Sequence, residues 1–128
     1  MNERGAATPV LLGVAAVVLL LSVGVADVGI VLAARLQAAA AADAAALAAA
    51  PVTFLPFGAR GSPIAEAQIF ATANGARLVS CRCEIDRSWE LRLVTVRVAR
   101  TAHLIGLGTV DVEATSRAEF DPIRLLGD

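Results

Sequence analysis

Tyrosine and lysine are absent from this 128-residue chain, and histidine and tryptophan occur once each. Only four phenylalanines complete the aromatic set, so the stacking platforms that bind single-stranded nucleic acid are missing. All eleven basic residues are arginine; twelve acidic residues bring the net charge to −1, and no basic cluster stands out. Nucleic-acid binding is therefore not expected, because its affinity depends on neutralising phosphates. The arginine-only usage reads as compositional bias rather than function. One histidine and two cysteines do not make a typical structural zinc site. No Ser/His/Asp set or phosphate loop appears either, and the chain is short for a catalytic cleft. No enzyme activity, cofactor, metal or small-molecule substrate is expected.

What the chain has in excess is apolar sequence. Hydrophobic residues make up 57%, against about 45–50% for an ordinary soluble domain. The excess lies near the start, where the 22 residues from Gly5 to Ala26 carry no charge. As a helix, Ala6 to Ala26 spans roughly 31 Å, the thickness of a bilayer's hydrocarbon core. Pro9 falls in the first turn, where its missing N–H costs least. Arg4 precedes the span and Asp27 follows it. That asymmetry predicts a single-pass protein with its N-terminus in the cytoplasm and its C-terminal part outside. A cleaved signal peptide is the competing reading, with Gly24-Val25-Ala26 as its site, but one arginine makes a poor basic leader.

The helical pattern does not stop with the span. Alanine fills 13 of the 18 positions from Ala33 to Ala50, and it is the best helix former. A rod from about Ala6 to Ala50 is predicted, roughly 68 Å long and about twice what an anchor needs. Ser22, Ala26, Gly29 and Ala33 recur at spacings of 4, 3 and 4, which sets small residues on one face for close packing against another helix. Asp27 reads as the outer interface of the span, with a functional carboxylate inside the membrane as the alternative. Asp43 reads as solvation for the alanine helix.

Beyond Pro51 the segment PVTFLPFGARGSP is a corner, with Phe54, Leu55 and Phe57 folding back on a core. Ser62 and Pro63 read as cap and first residue of a short helix over Ile64 to Asn74, stopped by Gly75. The period then changes to two. Arg77 to Ile85 is one strand, with Val79, Cys81, Cys83 and Ile85 on a shared face. Glu90 to Ala99 is a second, either bulged or covered on both sides. Ala102 to Gly108 reads as a connection, and Thr109 to Phe120 as a third strand turning Val110, Val112, Ala114, Ser116, Ala118 and Phe120 inward. The fold class is α+β: a long helix and a short helix packed on a three-stranded antiparallel sheet, with Ala33 to Ala50 as the lid of that sheet. Residues 1–26 form leader and span, residues 27–50 the exported part of the helix, and residues 51–128 a small head. From Pro51 on, nine arginines balance nine acidic residues, so the head steers no charged partner.

Cys81 and Cys83 lie two apart. On an extended strand that sets their Cα atoms roughly 6.5–7 Å apart, at the limit for a disulfide. Two small apolar side chains are the favoured reading, with a disulfide and thiol chemistry as the alternatives. His103 has no acidic pair near it in sequence and reads as structural.

Several stretches together resemble the TadE-like pseudopilins of tight-adherence (Flp-type) pilus loci, particularly a small actinobacterial branch. They are Glu3 to Thr8, Ala26-Asp27-Val28-Gly29, the tract Gln37 to Ala48, Asn74 to Cys81 and the final strand. The resemblance implies a type IV pilin-like architecture and a minor structural or assembly role in a pilus or related secretion system. It also implies partners in membrane lipid and in other pilin-like subunits, and a processing site between Gly5 and Ala6. A membrane-tethered binding module outside any filament is the alternative. Two features depart from the pattern. The fifth residue after Gly5 is Val10, where such prepilins carry a glutamate, which bears on both processing and recruitment. The segment Ser62 to Ala65 lacks the cysteine that relatives pair with the strand cysteine.

Overall fold

The computed structural model describes residues 7–56 and 61–127. Helix α1 runs unbroken from Ala7 to Val52, 46 residues and roughly 69 Å. Pro51 sits in its last turn rather than after it. The end is finished by Thr53, whose hydroxyl and backbone N–H both donate to the Ala50 carbonyl, at 2.7 and 3.3 Å. Such bonds satisfy a carbonyl that helix geometry would leave orphaned.

Helix α2, Pro63–Ala73, starts as its sequence dictates: Ser62 has extended backbone and its hydroxyl accepts from the Ala65 N–H at 3.2 Å. The chain leaves α2 through Gly75, whose φ of +72° is a conformation that favours glycine. It then enters β1, Arg77–Arg82. β2, Arg92–Leu104, and β3, Gly108–Phe120, are each 13 residues and pair without a register shift from Arg92↔Phe120 to Leu104↔Gly108. The sheet is antiparallel, in the order β1-β2-β3. A 3-10 turn over Pro122–Leu126, which the periodicity did not signal, follows an Asp121 cap.

Three expectations need correction. The first strand ends at Arg82, so Cys83 and Ile85 lie beyond it. Its phase also changes: the register slips between Leu78 and Ser80, so Leu78 and Cys81 pack on the core while Val79 is exposed. A bulge inserts one residue and turns the following side chains over, which an alternation count does not detect. The third correction concerns residues 102–104, which continue β2 instead of connecting, so that only Ile105 to Leu107 form the turn. The second strand is unbulged along β3 and one-sided over its first half: Val94, Val96 and Val98 are buried, whereas Leu91 and Leu93 are exposed; Ala99, on the other phase, is buried as well.

The core lies between the C-terminal half of α1 and the sheet. Ala41, Ala42, Ala45, Ala46, Ala49 and Ala50 meet Val94, Val96, Val98 and Ala118, with Ala67 and Ala71 of α2 closing one side. These α1 positions repeat at three and four residues, a single helical stripe. Methyl-sized side chains let the helix approach the sheet closely, so the lid over the sheet is the alanine tract. A second, smaller cluster of Ala34, Ala102 and Val112 extends the contact toward the exposed half of α1. The result is a pilin-like α+β arrangement of long helix, short helix and three-stranded sheet.

Candidate functional site

From Thr8 to Ser22, α1 is exposed on every side, including Leu11, Leu12, Leu19, Leu20 and Leu21. It is the one helix among the described residues that is long and apolar enough to cross a membrane. Apolar side chains on all faces suit lipid, and a helix satisfies its own backbone there. Ser22 keeps its hydroxyl bonded to the Val18 carbonyl at 2.8 Å. Ser22, Gly29 and Ala33 are exposed and Ala26 is half-buried, and a Cβ on Gly29 would meet nothing within 4 Å. The small-residue face is thus uncovered by the head. It lies about 100° round the helix from the side that Val23, Asp27, Ile30 and Ala34 turn toward the sheet.

Asp27 is not a solvated end-marker. It is buried, and its carboxylate accepts from the backbone N–H groups of Ile105 at 2.6 Å and Gly106 at 3.3 Å. Those residues form the β2–β3 turn, 78 and 79 positions away in sequence. Gly106 lets the turn come close to the helix: a Cβ there would stand 3.3 Å from Val23 Cγ1 and 3.4 Å from the Asp27 carboxylate, a tight fit. Beside this contact an apolar groove runs between Gly24, Val28 and Leu32 of α1 and Leu104 and Leu107 of the hairpin. No sequence pattern pointed to the turn as a partner of the helix, because nothing local relates the two. The apolar character of Ile105 and Leu107, unusual for a hairpin turn, was the available signal.

At the opposite end of the head, Arg92 was another residue the sequence did not single out. Its buried guanidinium donates to the Thr53 carbonyl at 2.8 Å and to the Ser88 carbonyl, and it lies 5.3 Å over the Phe54 ring. Its Nε has no hydrogen-bond partner among the described residues. The arginine ties the end of α1 to the β1–β2 connection, which also bonds it through Asp86 N–H to Thr53 O and Leu55 N–H to Asp86 O.

Cys81 and Cys83 have Cα atoms 5.4 Å apart, and the structure joins their sulfurs as a disulfide. The strand-based distance expected above does not apply, because extended pairing ends at Arg82. Both cysteines are half-buried against the core rather than fully enclosed. His103 is exposed on β2, and Asp43 is exposed on the outer side of α1. Among the described residues no group of three or more His, Cys, Asp or Glu is placed to hold a metal. Gly5 and Ala6, the expected processing site, and Phe57 lie outside the described residues.

Two exposed carboxylates are held below their ordinary value of 3.8. Asp111 is lowered first by the Thr101 hydroxyl at 2.6 Å and then by Arg77. Asp86 is lowered chiefly by the Ser88 hydroxyl and then by the Ser88 and Arg87 N–H groups. A depressed carboxyl stabilises the fold fully above its unfolded value, and that contribution is lost as pH falls through the folded one. The urea midpoint is therefore expected to drop on going from about pH 5 to about pH 3, and to drop less in Asp111→Asn. An equal drop in both proteins would show that the Thr101–Asp111–Arg77 chain contributes nothing.

Residues 5–52, which cover α1, match the TadE/G-like Flp pilus-assembly family. The long helix is TadE/G-like. No curated protein and no solved structure matches the chain. The TadE/G-like match ends where α1 ends, at Val52, so it covers the exposed half and the alanine lid but not the sheet. With the one candidate span lying in the same helix, the chain fits a pilus-associated, single-pass membrane protein, and the matched family is one of pilus-assembly structural proteins.

Proposed function

We propose that this chain is a pseudopilin-like minor structural or assembly subunit of a tight-adherence pilus or a related secretion system. The observation that carries the reading is the division of α1: one continuous TadE/G-like helix, bare on all sides from Thr8 to Ser22 and roofing the sheet along its alanine tract. Residues 1–26 act as leader and span, residues 27–50 as the exported continuation, and residues 51–128 as the head. The N-terminus faces the cytoplasm, in keeping with Arg4 before the span. The work done is mechanical. Ser22, Ala26, Gly29 and Ala33 form the face on which another pilin-like helix packs, since small residues let helix backbones approach closely. The Cys81–Cys83 bridge is a structural clip that closes a short loop, without a thiol reaction.

The deciding experiment places single cysteines in cells carrying the assembled system, in a Cys81→Ser/Cys83→Ser background. Ser22→Cys, Gly29→Cys and Ala33→Cys are expected to form oxidative crosslinks to pilin-like partners, and Val28→Cys, on another face, is not. Crosslinks of equal yield from Val28→Cys would remove the packing face. Their complete absence would favour a tethered head outside any filament. Intact mass of the extracted chain adds a second readout: loss of residues 1–5 is the expected result of processing between Gly5 and Ala6.

A further inference from the structure

The β2–β3 turn touches α1 at a level that lies inside the apolar run. Gly106 packs on Val23, and the charge-free stretch continues three residues past Val23, to Ala26. A hydrocarbon core about 30 Å thick takes up roughly 20 helical residues. Charges at Glu3 and Arg4 limit how far the run can slide toward its start. A span filled between those charges and Asp27 therefore brings Val23, and the turn resting on it, to the membrane's outer interface.

The turn is made for that layer. From Ala102 to Val110 there is no Asp, Glu, Lys or Arg. Ile105 is 66% exposed and Leu107 80% exposed, at a position where hairpins ordinarily show polar residues. The backbone N–H groups of Ile105 and Gly106, which lipid would leave without partners, are both taken by Asp27. The same two bonds satisfy a carboxylate that would otherwise be costly at that depth. Val28 and Leu32, exposed on α1 beside the turn, carry the apolar surface outward until Arg35.

We propose that the β2–β3 turn is a second membrane contact: Ile105 and Leu107 enter the outer leaflet beside the span and fix the height and tilt of the head against the lipid surface. The proposal rests on the membrane reading of α1 and goes beyond it, since a plain anchor would leave the head free of the bilayer.

The test uses the full chain in phosphatidylcholine–phosphatidylglycerol vesicles with Trp89→Phe as background. Single tryptophans report from the turn (Leu107→Trp), the span (Val14→Trp) and the far end of β3 (Glu119→Trp). Leu107→Trp is expected to be quenched by lipid spin-labelled near the headgroup about threefold more than Glu119→Trp, and less by aqueous acrylamide. Adding Asp27→Leu should return Leu107→Trp to the behaviour of Glu119→Trp. If Leu107→Trp matches Glu119→Trp while Val14→Trp is quenched by lipid, the turn stands clear of the membrane and this proposal fails alone. If Val14→Trp is also untouched by lipid quenchers, the membrane reading fails with it. Shielding of Leu107→Trp from both quenchers at every lipid-to-protein ratio would mean that a protein neighbour covers the turn, and would equally overturn the proposal.

Discussion

Phe54→Ala is expected to lower the unfolding free energy of the head by about 3–5 kcal/mol, the usual cost of truncating a fully buried phenylalanine. Phe54 is completely enclosed although it sits in an irregular corner just beyond α1. Its ring meets Trp89 edge-on at 4.9 Å and Phe120 at 6.4 Å, and the Arg92 guanidinium lies over it. Its backbone forms a parallel bridge with Asp86. One side chain therefore gathers the end of α1, the β1–β2 connection and the end of β3. Truncation leaves a cavity, and it also removes the aromatic face from a buried cation. Urea unfolding in detergent, followed by Trp89 fluorescence, gives the readout, with Phe54→Leu expected to lose less. An unchanged midpoint in Phe54→Ala would mean that the corner does not pack as described.

The second large effect separates the two faces of the exported helix. Ala45→Leu adds three carbons where α1 lies against the sheet with no accessible surface. Overfilling a well-packed contact costs about 1–3 kcal/mol, and a helix backbone held close to three strands has little room to retreat. Ala40→Leu, on the exposed side of the same tract, should stay within about 0.5 kcal/mol of the parent protein. Comparable losses at both positions would show that the alanine tract is enclosed all round. No loss at either would detach the helix from the sheet.

Much of this architecture was legible in the chain because it follows local rules. An uncharged run of bilayer length, an alanine tract without a breaker, Ser62-Pro63 and Gly75 each state their role within a few residues. The final strand alternates strictly and pairs along its whole length. What escaped has a common cause, which is that its partner lies far away in sequence. The slip at Val79 is set by where β2 runs, not by β1 itself. Arg92 looks like any strand arginine until Thr53 and Ser88 present their carbonyls to it. Asp27 reads as the boundary of a span on composition alone, and only the returning hairpin gives it two donors. Residues 102–104 look like a connection in sequence because the neighbouring glycines and mixed apolar residues hide a strand end, whereas pairing with Gly108 to Val110 defines it.

The absence of any break in α1 has a mechanical corollary. Gly24 and Gly29 lie within the helix without interrupting it, and the sheet is fastened to the same rod from Val23 to Ala50. Axial travel of the rod and travel of the head are then one quantity: withdrawal by a single pitch lifts the whole sheet by about 5.4 Å. A pull along the lipid-facing end is then expected to reach the head without passing through a hinge, because no helix break lies between the two.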